Sequence, residues 1–350
     1  MVALQIGLVF VGSIVGAGLS SGRELTQFFA IYGYKSFMGL FICAMMYVLV
    51  GHMIIKLTIK YDVSSYNEFI DLVCPRPIAI FTNIMLTIFL LSSTSIILAG
   101  SGSVLNQYFG IPKVVGMAVM IGISVLCLLR KTQGLFEVNN ITVPILVVIM
   151  TAIFVGYGMN NSEQISLTYI SSLPNQRENW IMSSLIYSGF NIISIVGILV
   201  SLSHEMKDYK LILHGVMIGS AILTLTSAYI IFLMLVNPTY VDKYDIPILA
   251  VAQQITPVLQ VGLLITIWLE MFSSQISNIF SLTRSLENKL GIQYEKGIAM
   301  SIIVALPLSA VGFKRLVDVL YPIYGILSFG FMMCVIWFYL RQRKLNMAMA

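Results

Sequence analysis

Ten apolar stretches separated by short polar connections account for most of the chain: residues 2–30, 34–59, 76–107, 112–130, 137–158, 180–203, 211–236, 247–285, 294–311 and 317–340. A helix needs about 20 residues to cross about 30 Å of hydrocarbon, so this pattern predicts ten membrane-spanning helices. The third and eighth stretches are longer than a perpendicular helix needs and must tilt or project beyond the bilayer. Between the second and third, residues 62–76 mix polar and apolar positions, which predicts a short interfacial helix beginning after Ser64 or Ser65.

Two stretches break the apolar pattern from within. The first reads QIGLVFVGSIVGAGLSSGREL and sets Gly12, Gly16, Gly18 and Gly22 among Ser13, Ser20 and Ser21. A helix-interior glycine costs roughly 0.5 to 1 kcal/mol relative to alanine, so a continuous helix is disfavoured there. Irregular backbone survives at membrane depth only where protein or a cavity satisfies its polar groups, which makes Gly12 to Gly18 a candidate ligand or ion site. The other reading is close helix packing through a small-xxx-small face at Gly12 and Gly16. Five spans later, residues 180–203 carry Tyr187-Ser188-Gly189-Phe190-Asn191 and then Gly197. Interruptions at corresponding positions of two halves point to a transport site at an inverted-repeat interface, and packing alone does not predict that correspondence. The expectation is one membrane domain over 1–350, with a first five-helix repeat over 2–158, a second over 180–340, and helices one and six both interrupted.

Composition fits a polytopic membrane protein: 58% of residues are hydrophobic and 10% charged, against about 25% charged in soluble domains. With ten spans, thirteen lysines and arginines fall on the side of both termini. Six (Lys35, Lys113, Arg177, Lys243, Lys314 and Arg315) fall on the other. The positive-inside rule then makes both termini cytoplasmic and connection 160–178 an extracellular loop, which could cover an entrance or simply connect helices. The net charge of +5 follows from this bias and is no sign of nucleic-acid binding, since no basic-aromatic module accompanies it. The first stretch lacks the basic start and cleavage site of a signal peptide. Cys43, Cys74, Cys127 and Cys334 stand at no metal-like spacing and are read as packing residues. No P-loop is present, which argues against an ATP-driven pump or another enzyme.

A broken membrane helix exposes N–H groups on one half and carbonyls on the other, the two poles a zwitterionic amino acid requires. Ser13, Val15, Gly16, Ala17 and Gly18 would form that joint, with Tyr187, Gly189, Phe190 and Asn191 as the facing wall and Ser93 a further substrate contact from span three. Glu270, deep in span eight, is expensive in lipid and therefore a functional candidate: a proton carrier, a cation ligand or a structural partner. Ser273 and Ser274 share its helical face, and two hydroxyls with backbone carbonyls suit a hard cation such as sodium. Arg23 and Glu24, just beyond the joint, are candidate gate residues near the extracellular mouth, although Arg23 could equally snorkel to the interface.

Gly12-Ser13-Ile14-Val15-Gly16-Ala17-Gly18, followed by Ser20-Ser21-Gly22-Arg23-Glu24, resembles the joint of amino acid-polyamine-organocation transporters with the LeuT-type five-plus-five repeat. More narrowly, the chain resembles the YkvI-like bacterial membrane proteins. The resemblance implies a location in the bacterial cytoplasmic membrane, with substrate held by helices one and six. It also implies a sodium site formed by carbonyls of Gly12 and Val15 with the hydroxyls of Ser273 and Ser274. Glu270 departs from the small apolar residue usual there. Residues 138–158 hold no lysine to substitute for sodium, as some proton-coupled relatives have. The function expected is secondary uptake of a small amino acid or similar zwitterion, sodium-coupled, with no other cofactor. Proton coupling through Glu270 and a transporter-shaped receptor are the alternatives. The partners expected are that substrate and the lipid bilayer. Nothing in the sequence sets an oligomeric state, and a monomer suffices for such a site.

Overall fold

A computed structural model describes residues 2–161, 178–244, 246–311 and 313–348; these residues form helices joined by short turns, with no strand among them. The connection over 160–178 lies mostly outside the described residues. The first stretch forms three pieces, α1 (Val2–Ile14), α2 (Ala17–Ser20) and α3 (Arg23–Phe28). Val15 and Gly16 leave the helix between α1 and α2. Gly22 turns the chain into α3 at φ 81°, a left-handed conformation that favours glycine. Then follow α4 (Lys35–Tyr61), α5 (Tyr66–Val73), α6 (Arg76–Phe109), α7 (Lys113–Leu128) and α8 (Lys131–Asn160). The remainder forms α9 (Trp180–Met206), α10 (Tyr209–Val236), α11 (Pro238–Lys243), α12 (Pro247–Ile255), α13 (Pro257–Leu290), α14 (Tyr294–Ser309) and α15 (Phe313–Ala348).

Among the described residues, α4, α6, α8, α9, α10, α13 and α15 each contain an apolar run long enough to cross a membrane. The shorter α7 and α14 have 16 residues each, a rise of about 24 Å. The interfacial helix is α5, and its start is capped by Ser65 with Glu68 reaching back to the residue before the cap, a variant of the capping box. The Glu68 amide donates to Ser65 Oγ at 3.3 Å, while the Ser64 amide donates to the Glu68 carboxylate at 2.9 Å. Large apolar side chains such as Phe41, Leu126, Val148 and Ile326 are exposed on the outer faces, as lipid contact requires.

Two expectations fail on the helix pattern. The sixth apolar stretch is not interrupted: α9 runs continuously for 27 residues. The hydroxyls of Ser184, Ser188, Ser194 and Ser201 bond within their own helix, Ser188 Oγ to the Ser184 carbonyl at 2.8 Å and Ser201 Oγ to that of Gly197 at 2.9 Å. Polar side chains satisfied in this way need no opened backbone. Gly189 serves packing: a Cβ there would stand 2.9 Å from both the backbone nitrogen and the Cα of Phe329 in α15. The eighth stretch, read as a single long span, divides instead into α12 and α13. Pro257 lacks the N–H that would continue α12, and Thr256 Oγ1 caps the new helix by accepting from the Leu259 amide at 3.2 Å.

The broken stretch is held at the centre. α1 lies against α8, α10 and α13, while α9 is packed between α4 and α15. Glycines set the α1–α10 crossing, since a Cβ on Gly219 would be 2.7 Å from the Gly7 carbonyl. At the other end of α9, Lys207 caps the helix and pairs with Asp62, the cap of α4, at 2.9 Å. Both residues have φ 51°. This hydrogen bond and the ammonium charge hold the Asp62 carboxyl below its ordinary pKa.

Candidate functional site

Because α1 ends at Ile14, the carbonyls of its last turn lack the usual helical donors. The α13 hydroxyls meet them. Ser274 Oγ donates to the Val15 carbonyl at 2.8 Å and lies 3.3 Å from that of Gly12; Ser273 Oγ lies 3.1 Å from the Gly12 carbonyl. Ser273 also donates to Asn139 Oδ1 on α8 at 2.6 Å. Gly12, Val15, Ser273, Ser274 and Asn139 thus bring five oxygens together in the buried centre of the bundle. The spacing of Ser273 and Ser274 in sequence anticipates two of them. Asn139 carried no signal beyond an amide at the edge of an apolar run.

Beside this cluster is a cavity enclosed by the first broken stretch, α6, α9 and α13. Ser13, Ile14 and Gly16 line it from the joint, and Phe89, Ser93 and Ile97 from a single face of α6. Phe190, Asn191 and Ser194 contribute from α9, Ser274 and Asn278 from α13, and Glu24 from α3. Asn278 Nδ2 donates to Ser93 Oγ at 2.8 Å, joining α13 to α6. Asn191 Nδ2 donates to Tyr47 Oη at 2.6 Å. Phe89 meets Phe190 edge-on at 5.5 Å and Tyr324 at 5.1 Å, forming an aromatic wall. Phe89, Ile97, Ser194 and Asn278 were not singled out in the sequence. The signal was helical spacing, since 89, 93 and 97, like 274 and 278, recur every four residues.

Several candidates are positioned differently from expectation. Glu24 is 3% exposed and faces the cavity instead of an open mouth. Tyr187 does not line the cavity; its hydroxyl donates to Glu24 Oε1 at 2.7 Å. Gly189 faces Phe329 on α15 and is no wall of the site. The Gly18 carbonyl accepts from Ser21 Oγ at 2.8 Å, and Ala17 begins α2. Arg23 Nη1 reaches the Tyr244 carbonyl at 3.4 Å, tying α3 to the segment before α12. Glu270 is fully buried, outside the cavity lining, and neither carboxylate oxygen has a hydrogen-bond partner among the described residues. No group of three or more His, Cys, Asp or Glu side chains that could hold a metal occurs among the described residues.

No family model matches the chain. It is 30% identical over 329 residues to the membrane protein YkvI of Bacillus subtilis (strain 168), an alignment covering 94% of each chain. The chain belongs to the YkvI family of membrane proteins. A second Bacillus subtilis (strain 168) relative, YyaD, is 23% identical over 338 residues, again 94% of each. Among solved structures, the nucleobase-cation-symport-1 transporter MHP1, closed with bromovinylhydantoin bound, superposes with a TM-score of 0.70 at 12% identity. That match covers 93% of this chain and 77% of MHP1. A Na+-coupled sialic acid symporter in its substrate-bound outward-open state gives 0.68 at 16%, covering 95% and 78%. MhsT in complex with L-phenylalanine gives 0.65 at 14%, covering 95% and 87%. These proteins share the LeuT-like all-α bundle with this multi-pass membrane protein.

Proposed function

We propose that this chain is a secondary transporter that takes up a small amino acid or related zwitterion by alternating access, driven by sodium. The observation carrying the reading is the convergence of the Ser273 and Ser274 hydroxyls on the Gly12 and Val15 carbonyls, beside a buried polar cavity. Hydroxyl and carbonyl oxygens suit a hard monovalent cation, which would bind as the two hydroxyl protons turn away. Sodium held there would fasten α1 to α13. The adjoining cavity would then form while open to the outside, and release of the ion would loosen the same joint towards the cytoplasm. The Na+-coupled sialic acid symporter and the MhsT–phenylalanine complex, which share the bundle, support this reading by analogy.

The proposal retains ten spans with cytoplasmic termini in the bacterial cytoplasmic membrane and two five-helix repeats over 2–158 and 180–340, of the amino acid-polyamine-organocation type. Ser13, Gly16, Ser93, Phe190 and Asn191 would contact substrate, while Val15, Ala17 and Gly18 shape the joint. Arg23 would act on the outer gate through its contact before α12. The test is uptake of an amino-acid panel into proteoliposomes under separately imposed sodium and proton gradients. Accumulation driven by sodium alone is expected; absence of accumulation under either gradient favours a receptor.

A second reading rests on Glu270, whose buried carboxylate has no hydrogen-bond partner among the described residues and is thus suited to carrying a proton. Glu270→Gln should leave sodium-driven uptake intact if sodium drives transport. Loss of uptake in a folded E270Q protein, with wild-type uptake following the proton gradient, would favour the proton reading.

A further inference from the structure

Among the twelve described residues lining the cavity, Glu24 is the one ionisable group. The rest offer hydroxyls (Ser13, Ser93, Ser194, Ser274), amides (Asn191, Asn278) and apolar or aromatic surface. Among the described residues, no lysine, arginine or histidine lines the wall to balance the Glu24 carboxylate or to receive a substrate carboxylate. The carboxylate is oriented from behind: Tyr187 Oη donates to Oε1 at 2.7 Å, and Tyr187 is itself wedged between Phe28 at 5.1 Å and Phe29 at 5.0 Å. Oε2 accepts no hydrogen bond from the described residues, yet it is not among the sealed, unsatisfied atoms of the core. It therefore presents an acceptor to the cavity. A buried anion without a counter-ion is costly, and a ligand that brings the missing positive charge recovers that cost on binding. Phe89 and Phe190 meet edge-on in the same wall, offering an aromatic surface favourable to a cation and to its apolar body.

We propose that Glu24 is the recognition site for a protonated amine of the transported molecule, and that Tyr187 is its positioning residue. The proposal rests on the transport reading for the word "transported", but amine binding itself does not depend on it. The substrate class is a small primary amine with an apolar or aromatic body, either zwitterionic or singly cationic. A dicarboxylate or a simple carboxylate finds no cationic partner among the described lining residues, brings no positive charge for Glu24, and is disfavoured by like charge there.

The test separates the amine from the carboxylate. Purified full-length protein in detergent with sodium is titrated by thermal shift with two matched series: leucine, isoamylamine and isocaproate; phenylalanine, phenethylamine and hydrocinnamate. In at least one series the amino acid and the amine should stabilise the protein, and the deaminated acid should not. Glu24→Gln should weaken the amine at least about tenfold, equivalent to about 1.4 kcal/mol. Glu24→Asp, which keeps the charge at shorter reach, should retain the preference for amines and guards against a folding defect in E24Q. Tyr187→Phe should weaken binding less and keep the same ranking. Stabilisation by the acid equal to that by the amine, undiminished amine affinity in E24Q, or no stabilisation by any of the six compounds would each overturn the proposal. Amine binding without sodium-driven uptake would overturn the transport reading alone. Sodium-driven leucine uptake unchanged in E24Q would overturn the assignment of Glu24 alone.

Discussion

Gly12→Ala is the sharpest perturbation of the joint. An alanine Cβ at position 12 would fall 1.7 Å from Asn139 Oδ1 and 2.7 Å from Ser273 Oγ. Neither separation is tolerable, so the Asn139 amide must swing away, and with it goes the 2.6 Å bond that Ser273 donates. Overpacking a filled core costs about 1 to 3 kcal/mol, and a lost buried hydrogen bond adds about 0.5 to 1.5 kcal/mol. The variant should therefore be destabilised by about 1.5 to 4.5 kcal/mol. The control is Gly16→Ala, where the nearest atom to an added Cβ is Ser274 Oγ at 3.5 Å, an ordinary contact. Melting curves in detergent, with sodium titrated against potassium, should show a lowered midpoint and lost sodium stabilisation for G12A, and a small change for G16A. The mechanism also predicts non-additivity: Gly12→Ala with Asn139→Ala removes the obstructing oxygen and should melt higher than the sum of the two single losses. A G12A melting point equal to that of wild type, or strict additivity in the pair, would refute the reasoning.

Ser274→Ala removes the donor to Val15 and a proposed ion ligand; sodium-dependent stabilisation should fall at least about tenfold in apparent affinity while protein yield is maintained, and an unchanged sodium titration would put the ion elsewhere. Gly189→Ala forces a Cβ against the Phe329 backbone, which cannot rotate away as a side chain can, so it should lower stability by about 1 to 3 kcal/mol. Gly330→Ala, with no atom within 4 Å of the added Cβ, should be neutral or stabilising in the same melt. Asp62 has a lowered folded pKa because of Lys207, so its contribution is present above the unfolded carboxyl pKa and lost as pH falls through the folded one. Wild type should therefore lose stability relative to Asp62→Asn in the acid range, by a small and salt-sensitive amount because the pair is exposed; parallel curves across pH would dismiss the pair.

The helical bundle is largely legible from hydropathy because lipid leaves few alternatives: a long apolar run must close its backbone bonds within itself. α4, α6, α8, α10 and α15 all fall within the apolar runs or extend past their ends. The break between α12 and α13 was missed although Thr256-Pro257 states it in local chemistry: a capping hydroxyl followed by a residue without an N–H. Mostly apolar residues on both sides, Pro247 to Ala252 and Val261 to Leu269, conceal it, although Gln253, Gln254 and Gln260 flank the break. At the site, Ser273 and Ser274 were readable as neighbours on one helical face. Asn139 and Asn278 were not, because an amide reveals its purpose only through partners on other helices.

The two glycine-rich stretches show where such reading stops. Around Gly12 to Gly18 and around Gly189 the chain presents the same signature, small residues and hydroxyls within an apolar run, yet only the first leaves the helix. The difference lies in what faces each glycine. Gly189 meets the backbone of Phe329, 140 residues further along, so its missing side chain brings two intact helices together. Gly12 meets side-chain oxygens of Asn139 and Ser273, and those groups, with Ser274, accept or supply the bonds that an opened backbone needs. Of these two, the glycine facing backbone closes a helix interface, and the one facing polar side chains stands just before a break. The sixth apolar stretch therefore contributes a rigid wall to the cavity through Phe190, Asn191 and Ser194. It exposes no backbone poles of its own. On the amine-recognition proposal, the charge that a second broken helix would have offered as a carbonyl end would come from a side chain, Glu24, which Tyr187 of α9 holds in place.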